Sequence, residues 1–419
     1  MVECWKYTSD LMARGDTVAG LDIGTTKTCA IIAANGPNGL EIIGVGEAPS
    51  LGMRKGVVTD LEETVKSIEV ATERAERMAG LHLSHVYVGV TGEHVTSTNN
   101  HAVVAVAGED REVIASDIRR VVDASKIINL ATDRQIIHAL PRHFTIDGQD
   151  GVADPIGMSG GRLEVDTHIV TGGTAFITNV LKCVSRAGLE PLGIVFEPLA
   201  SSAATLLPEE KHIGVVLLDI GGGTTDIAVY AGGGLVHSAT IPVGGNILTN
   251  DIALGLKTTF AEAEQLKRTH GSSASKADDS DSVTFPVKTL DGRSTRDVTA
   301  GQLRSIVLPR VLELLRMAKQ NIAAHVARDQ MLGEVVITGG GAHLRNIELT
   351  AAELFGLPVR IGVPAMVAGL TDTVKQPEYA TAVGLVLFGP RGEGSPQRKP
   401  GPAAGVLTRV TSWFGSIWS

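Results

Sequence analysis

The feature that most restricts the fold is a repeated one. VVLLDIGGGTTDIAVY, Val215 to Tyr230, has an earlier echo in VAGLDIGTTKTCAIIA, Val18 to Ala33. In each copy an apolar run of strand character ends in Asp-Ile-Gly, turns through small residues and Thr, and resumes as a second apolar run. Each reads as a β-hairpin, and two such copies in one chain point to an internally duplicated α/β protein.

Glycine bends a turn tightly and leaves its backbone N–H groups uncovered, so each turn can cradle phosphate oxygens. Thr and Lys side chains add donors to the same anion. A carboxylate ending the first strand, Asp22 or Asp219, repels phosphate by itself but holds a hydrated Mg²⁺ against it through water. A pair of such hairpins implies a nucleotide clamped between two loops.

The chain of 419 residues is long enough for two to four domains. A net charge of −9, with no block of Lys and Arg interleaved with aromatics, argues against a nucleic-acid partner. The three cysteines, Cys4, Cys29 and Cys183, lie far apart and read as reduced thiols. No apolar run is long enough to span a membrane, and 1–16 has no secretory h-region. The body reads as cytoplasmic.

Leu40 to Ser50 reads as a third strand, Thr59 to Ala79 as a helix capped by Thr59 or Asp60, and His85 to Gly92 as a further strand. From about Glu93 the pattern becomes a small inserted module, with the parent lobe resuming at Val165. Its His94, His101, His138 and His143 lack ligand spacing and read as structural. Gly188 to Leu207 crosses to the second lobe. There Asp251 to Arg268 reads as one helix, VTFPVKTLDGRS as a hairpin, and Leu303 to Val326 as a long helix that Pro309 can kink. In GEVVITGGGAHLRNI a buried strand runs into Gly339, Gly340 and Gly341, which have no side chains to block a flat base, and then into a helix start whose dipole is positive. This is the natural nucleoside wall.

After Gly389 the chain turns to a Pro/Gly-rich linker. The final stretch places Val406, Leu407, Val410, Trp413, Phe414, Ile417 and Trp418 on one helical face, opposite Arg409, Thr411, Ser412 and Ser416. A helix this short cannot cross a membrane but can lie in its headgroup layer; the other reading is a helix docked on its own body, against which the long linker argues. A single short anchor binds reversibly, and a row of them gains avidity.

In order, these motifs resemble the actin and heat-shock chaperone ATPase superfamily: first phosphate loop, first connecting helix, second phosphate loop, adenosine loop, second connecting helix. Within it, the strings LDIGTTKTCAII, GLEPLGIVFEPLASSAATLL, VVITGGGAHL and YATAVGLVLF are similar to the FtsA family of bacterial cell-division proteins. So is the position of the insert.

The resemblance implies an actin-like ATPase fold of two duplicated lobes with an FtsA-type subdomain in the first. The parts would be 17–92 and 165–207 for the first lobe, 93–164 for the insert, 208–242 and 305–388 for the second lobe's core, 243–304 for its upper subdomain, 389–405 for the linker and 406–419 for the amphipathic helix. It implies ATP contacts at Gly24, Thr25, Thr26, Lys27, Gly221, Gly222, Gly223, Thr224 and Thr225, with Glu264, Lys267, Gly339, Gly340 and Gly341 by the adenosine. Mg²⁺ would sit by Asp22 and Asp219.

Glu197 matches the carboxylate that positions the attacking water in relatives. The insertion that carries the chaperones' catalytic lysine is missing, so tight binding and weak hydrolysis are expected. The implied partners are the C-terminal peptide of FtsZ on the upper subdomain, further copies of the chain in a filament, later division proteins on the insert, and lipids of the inner membrane at the division septum. Two rivals share the superfamily: a PilM-like pilus-assembly adaptor, which lacks the amphipathic tail, and a small-molecule kinase, which needs a general-base Asp in a polar pocket.

Overall fold

The computed structural model describes residues 17–36, 39–276, 279–327, 333–365 and 367–388. The stretch 1–16, the linker and the amphipathic segment with its seven apolar residues lie outside the described residues.

Both Asp-Ile-Gly repeats form hairpins. Thr17–Ile23 pairs antiparallel with Lys27–Gly36, from Thr17↔Ala34 to Ile23↔Thr28. Val215–Ile220 pairs with Thr225–Ala231, from Val215↔Tyr230 to Ile220↔Thr225. Each hairpin gains a third antiparallel strand, Gly39–Pro49 or Gly234–Ile241. On the other side of each first strand lie two parallel ones, His85–Val90 then Glu190–Phe196 in one lobe, and Glu334–Thr338 then Val359–Ile361 in the other. The two sheets therefore repeat one strand order, and the duplication read from the motifs is a duplication of topology. A short strand, Ala368–Gly369, adds to the first sheet's outer edge.

The helix Leu61–Ala79 starts where Asp60 accepts from the Glu63 N–H at 3.1 Å and stops at Gly80 in the left-handed region. It buries Val65, Ile68, Ala71 and Ala75 against the first sheet. In the second lobe the helix Ala300–His325 begins with a reciprocal Thr299–Gln302 cap and continues past Pro309. Its stripe of Leu303, Val307, Leu314, Leu315, Ala318 and Ile322 carries that lobe's core.

Two elements differ from expectation. The segment expected as one helix from Asp251 is two, Gly245–Gly255 and Phe260–His270. Lys257 takes a φ of 45°, and Thr259 caps the second helix by accepting from the Glu262 N–H at 3.2 Å. The insert also ends later than Glu164. Its antiparallel sheet runs in the order Thr96–Ala105, Arg162–Gly173, Arg134–Ile146, Gln149–Val152. Strand Arg162–Gly173 pairs within it along its whole length, down to Gly173↔Arg134. Residues 165–173 therefore belong to the insert, and the parent lobe resumes with the helix Thr174–Arg186. Arg134–Ile146 accommodates Pro141 beside a register shift, the kind of irregularity at which strands tolerate proline.

The lobes are joined by two helices in equivalent positions, Glu197–Thr205 and Ala380–Phe388. They cross so closely that a Cβ on Gly384 would lie 1.8 Å from the Ala200 carbonyl oxygen. No helix among the described residues is long and apolar enough to cross a membrane.

Because backbone, and not a flexible side chain, faces Gly384, the crossing cannot give way to a larger residue. Gly384→Ala is expected to cost about 3 kcal/mol, the upper end of the usual overpacking range, in a urea unfolding curve.

Candidate functional site

The two turns are built alike and face each other. Gly24 N–H donates to the Lys27 carbonyl at 3.0 Å, and Gly221 N–H to the Thr224 carbonyl at 2.9 Å. Across the gap, a Cβ on Gly222 would be 1.9 Å from Thr26 Oγ1 and one on Gly223 would be 2.5 Å from Thr25 Oγ1. Any side chain there would part the turns. Behind them opens a cavity of ≈ 630 Å³, lined from the first hairpin by Asp22, Gly24, Thr25, Thr26 and Lys27 and from the second by Asp219, Gly221, Gly222, Gly223 and Thr224.

Thr225 is a correction. As the first residue of its strand it points into the second lobe, fully buried, and donates from its hydroxyl to the Val243 carbonyl at 2.8 Å. It is not among the cavity's lining residues. Lys27 lines the cavity, but its ammonium is already held by Glu47 at 2.7 Å and the Glu378 carbonyl at 3.1 Å, and it lies over the Tyr379 ring.

The far wall comes from the second lobe. Lys267 and Glu264 pair at 2.7 Å, and Lys267 also donates to the Gly245 carbonyl at 3.1 Å, which ties the helix Phe260–His270 to the start of the helix Gly245–Gly255. The three glycines divide their work. Gly339 has a φ of 79°, and a Cβ there would be 2.3 Å from Asp219 Oδ1, whereas a Cβ on Gly340 would meet nothing within 4 Å. Gly339 lets the strand end pass the carboxylate, and Gly340 is the bare surface turned to the cavity. The chain then winds through a 3-10 turn, Gly340–His343, and the α-helix starts only at Ile347, so no α-helix dipole points from these glycines.

Four carboxylates line the floor: Asp22, Glu197, Asp219 and Asp226 are 8%, 8%, 7% and 3% exposed. Asp226 accepts from Thr91 at 2.5 Å and Thr240 at 2.6 Å, and Asp219 accepts from Thr381 at 3.0 Å. Burial pushes all four up from the ordinary carboxylate range. Asp22 rises to about 7 despite the pull of Lys27, and Asp226 to about 7 despite its two hydroxyl donors. Glu197 rises well above its ordinary value, with Asp22, Asp226 and Asp219 adding to the effect of burial. Among the described residues no three His, Cys, Asp or Glu side chains converge closely enough to hold a metal directly.

Sequence reasoning left Asp226 without a role. The signal was hairpin register: Asp226 stands directly opposite Asp219, which puts both side chains on one face of the sheet. The insert's histidines have ordinary partners; His138 accepts from the Phe196 N–H at 3.1 Å, and His101 sits between Glu164 and Asp166.

The family model described as cell division protein FtsA matches residues 216–384, and the model for the SHS2 domain inserted in FtsA matches 92–171. The cell division protein FtsA of Pseudomonas aeruginosa is 39% identical over 409 residues, covering 95% of this chain and 97% of the relative. That of Escherichia coli K12 is 36% identical over 411 residues, with the same two shares. The chain belongs to the FtsA family of cell-division proteins. The FtsA of Bacillus subtilis 168 is 36% identical over 390 residues, 93% of this chain and 87% of the relative.

Among solved structures, the PilM-PilN type IV pilus biogenesis complex aligns with a TM-score of 0.65 at 17% identity, over 91% of this chain and 99% of that one. MreB5 of Spiroplasma citri bound to ADP aligns with a TM-score of 0.51 at 15% identity, over 89% and 96%. The fold is the actin-like ATPase fold, and the insert of this FtsA-family chain is the family's SHS2 domain.

The carboxylate floor gives the free protein a pH signature. Between the ordinary value of 3.8 and about 7, Asp22 and Asp226 keep protons in the folded chain that they have lost in the unfolded one. Their contribution to stability is therefore complete below that window and is lost as pH rises through it. Thermal melts of the nucleotide-free protein are expected to drop in midpoint from pH 5.5 to 7.5. Asp226→Asn, whose amide oxygen can still accept from both threonines, should flatten the drop.

Proposed function

We propose that this FtsA-family protein binds ATP with Mg²⁺ in the cleft between its lobes, polymerises on the cytoplasmic face of the inner membrane, and tethers FtsZ filaments there through its C-terminal amphipathic helix. The observation that carries the reading is the meeting of the two Asp-Ile-Gly hairpins over one cavity with the open surface of Gly340 at its far wall.

The residues present fit the nucleotide. Backbone N–H groups and hydroxyls of Thr25, Thr26, Gly222, Gly223 and Thr224 would face the phosphates, in turns closed by the Gly24 and Gly221 N–H groups, and Glu264, Lys267, Gly339, Gly340 and Gly341 the adenosine. Asp22 and Asp219 would hold Mg²⁺ through water, since direct ligands do not converge. A cation held there would neutralise phosphate charge and favour the ionised forms of Asp22 and Asp219. Glu197 is the candidate for positioning a water. Burial first, and then Asp22, Asp226 and Asp219, raise Glu197 well above its ordinary range, which disfavours the ionised form that orients a water and so favours slow hydrolysis and ATP as an assembly ligand.

FtsZ's C-terminal peptide would dock on the upper subdomain within about 243–304, and later division proteins and neighbouring subunits on the insert. The PilM likeness is one of fold alone at 17% identity, whereas the division-protein relatives align along almost the whole chain.

Two measurements test the reading. Co-sedimentation of the full chain with anionic vesicles, with and without Mg·ATP and FtsZ, is expected to pellet protein, and FtsZ with it. Deletion of residues 406–419 should leave both in the supernatant; pelleting that survives it would refute the tether. For the cleft, Gly340→Leu is expected to leave the melting temperature of the free protein within about 2 °C, since its Cβ meets nothing, yet to weaken Mg·ATP binding at least tenfold by titration calorimetry. Gly339→Ala should instead lower the melting temperature itself, because the added carbon collides with Asp219.

A further inference from the structure

The insert is covalently part of the first lobe, yet it is docked on the second. Its edge strand Thr96–Ala105 lies beside Gly234–Ile241, the edge strand of the second lobe's sheet. Ser97 Oγ donates to the Ser238 carbonyl at 2.7 Å, and Asn99 Nδ2 donates to the Val236 carbonyl at 3.0 Å. His168, in the neighbouring insert strand, completes the contact, 2.7 Å from Asn99 Oδ1 through Nδ1 and 2.8 Å from Ser238 Oγ through Nε2. Burial drives His168 down to about 3, so its ring is neutral, donating to Asn99 and accepting from the Ser238 hydroxyl. This is a direct, fully hydrogen-bonded joint between the insert and the lobe opposite its own.

Both sides of the joint lead within a few residues to the floor of the cleft. On the second-lobe side, Thr240 is two residues beyond Ser238 in the same strand and donates to Asp226. On the first-lobe side, the chain enters the insert through Thr91, which donates to the same carboxylate oxygen, and then through Gly92 at a φ of 126°. Arg134 braces that entry, donating to the His94 and Thr171 carbonyls at 3.0 Å each, so the strands entering and leaving the insert are tied together. A closed ring of polar contacts thus runs from Asp226 through Thr91, into the insert, across Ser97 to Ser238, and back through Thr240.

We infer that the insert is a strap joining the two lobes beside the connecting helices, where Val95 and Val170 share a buried cluster with Ala200 and Leu385, and that Asp226 is the positioning residue through which nucleotide binding and insert docking favour each other. The lobes cannot part without breaking either the Asp226 grip or the Ser97–Asn99–His168 joint, so whatever closes the cleft also fixes the insert. By linkage, a partner that grips the docked insert raises nucleotide affinity by the same factor. The inference rests on the nucleotide reading of the cleft and adds its regulation.

The test uses residues outside the cavity lining. In the full-length protein, the double substitution Ser97→Ala/Asn99→Ala is expected to raise the Kd for Mg·ATP about fivefold or more, the lower end of usual site-to-site coupling. In hydrogen exchange, Mg·ATP should slow exchange of strand Thr96–Ala105 in the wild type and not in the double variant. Arg162–Gly173, within the insert, should stay protected in both, which reports that the variant insert is folded. Thr240→Val, which cuts the ring at its other end and leaves the insert joint intact, should weaken binding similarly. Wild-type binding with unchanged affinity in both variants would overturn the strap while leaving the nucleotide reading in place. A wild type that binds no nucleotide would overturn both.

Discussion

The burial of four carboxylates on the cleft floor, with repulsion among them as a smaller addition, is the constraint on which the rest of the cleft depends. At the effective dielectric of a protein, two unit charges 4 Å apart interact by about 4 kcal/mol. Asp22, Glu197, Asp219 and Asp226 are all nearly out of water. Such a floor cannot carry its full charge in the free protein, and the raised proton affinities of Asp22 and Asp226 are how it avoids doing so. The surroundings soften the arrangement without neutralising it: Thr91, Thr240 and Thr381 donate to the carboxylates, and Lys27 brings a positive charge to Asp22 that it shares with Glu47. The complement of such a floor is a cation, and the glycine turns above it leave room for one.

Holding four like groups together requires a frame that does not yield. The duplicated topology supplies one by placing an equivalent hairpin from each lobe over the cleft and an equivalent helix from each lobe behind it. At Gly384 and Ala200 those helices touch backbone to side-chain-free backbone, which leaves no compliant layer between them. The insert packs beside the same crossing, with Val95 and Val170 in one buried cluster with Ala200 and Leu385, and its joint to the strand Gly234–Ile241 adds a second tie between the lobes.

The parts of this design that are local in the chain were legible as letters. Asp-Ile-Gly before a run of small residues specifies a strand, a carboxylate and a tight turn within a few residues, and its repetition specified the duplicated fold. Glu264 and Lys267 follow from one helical turn. Readings that failed or stayed incomplete depend on partners distant in sequence. Glu47 reaches Lys27 only because the third strand lies beside the second, with Cys29 opposite Glu47. Thr225 and Thr224 are chemically identical, and only the start of the strand decides that one faces the cleft and the other the core. The end of the insert was misplaced because VDTHIVTGG is apolar enough for a buried parallel strand of the parent sheet, and nothing local says that its neighbours are Thr96–Ala105 and Arg134–Ile146 instead. Lys257 at a left-handed φ was equally invisible inside a helical pattern.

These features together bear on why a fold shared with ATPases would serve a scaffold. Fast phosphoryl transfer needs an ionised carboxylate aimed at a water and free cations aimed at the transferring group. Here Glu197 is biased toward its neutral form by burial and by three acidic neighbours, and the ammonium of Lys27 is engaged by Glu47 and the Glu378 carbonyl. In the proposed nucleotide site each departure would slow hydrolysis, and neither would weaken a grip built from backbone N–H groups and hydroxyls. A site of this kind keeps its ligand for as long as the cleft stays shut. If the insert straps the lobes as inferred, the lifetime of the closed state would pass to whatever holds the insert, and assembly would then set the nucleotide's residence more than hydrolysis does.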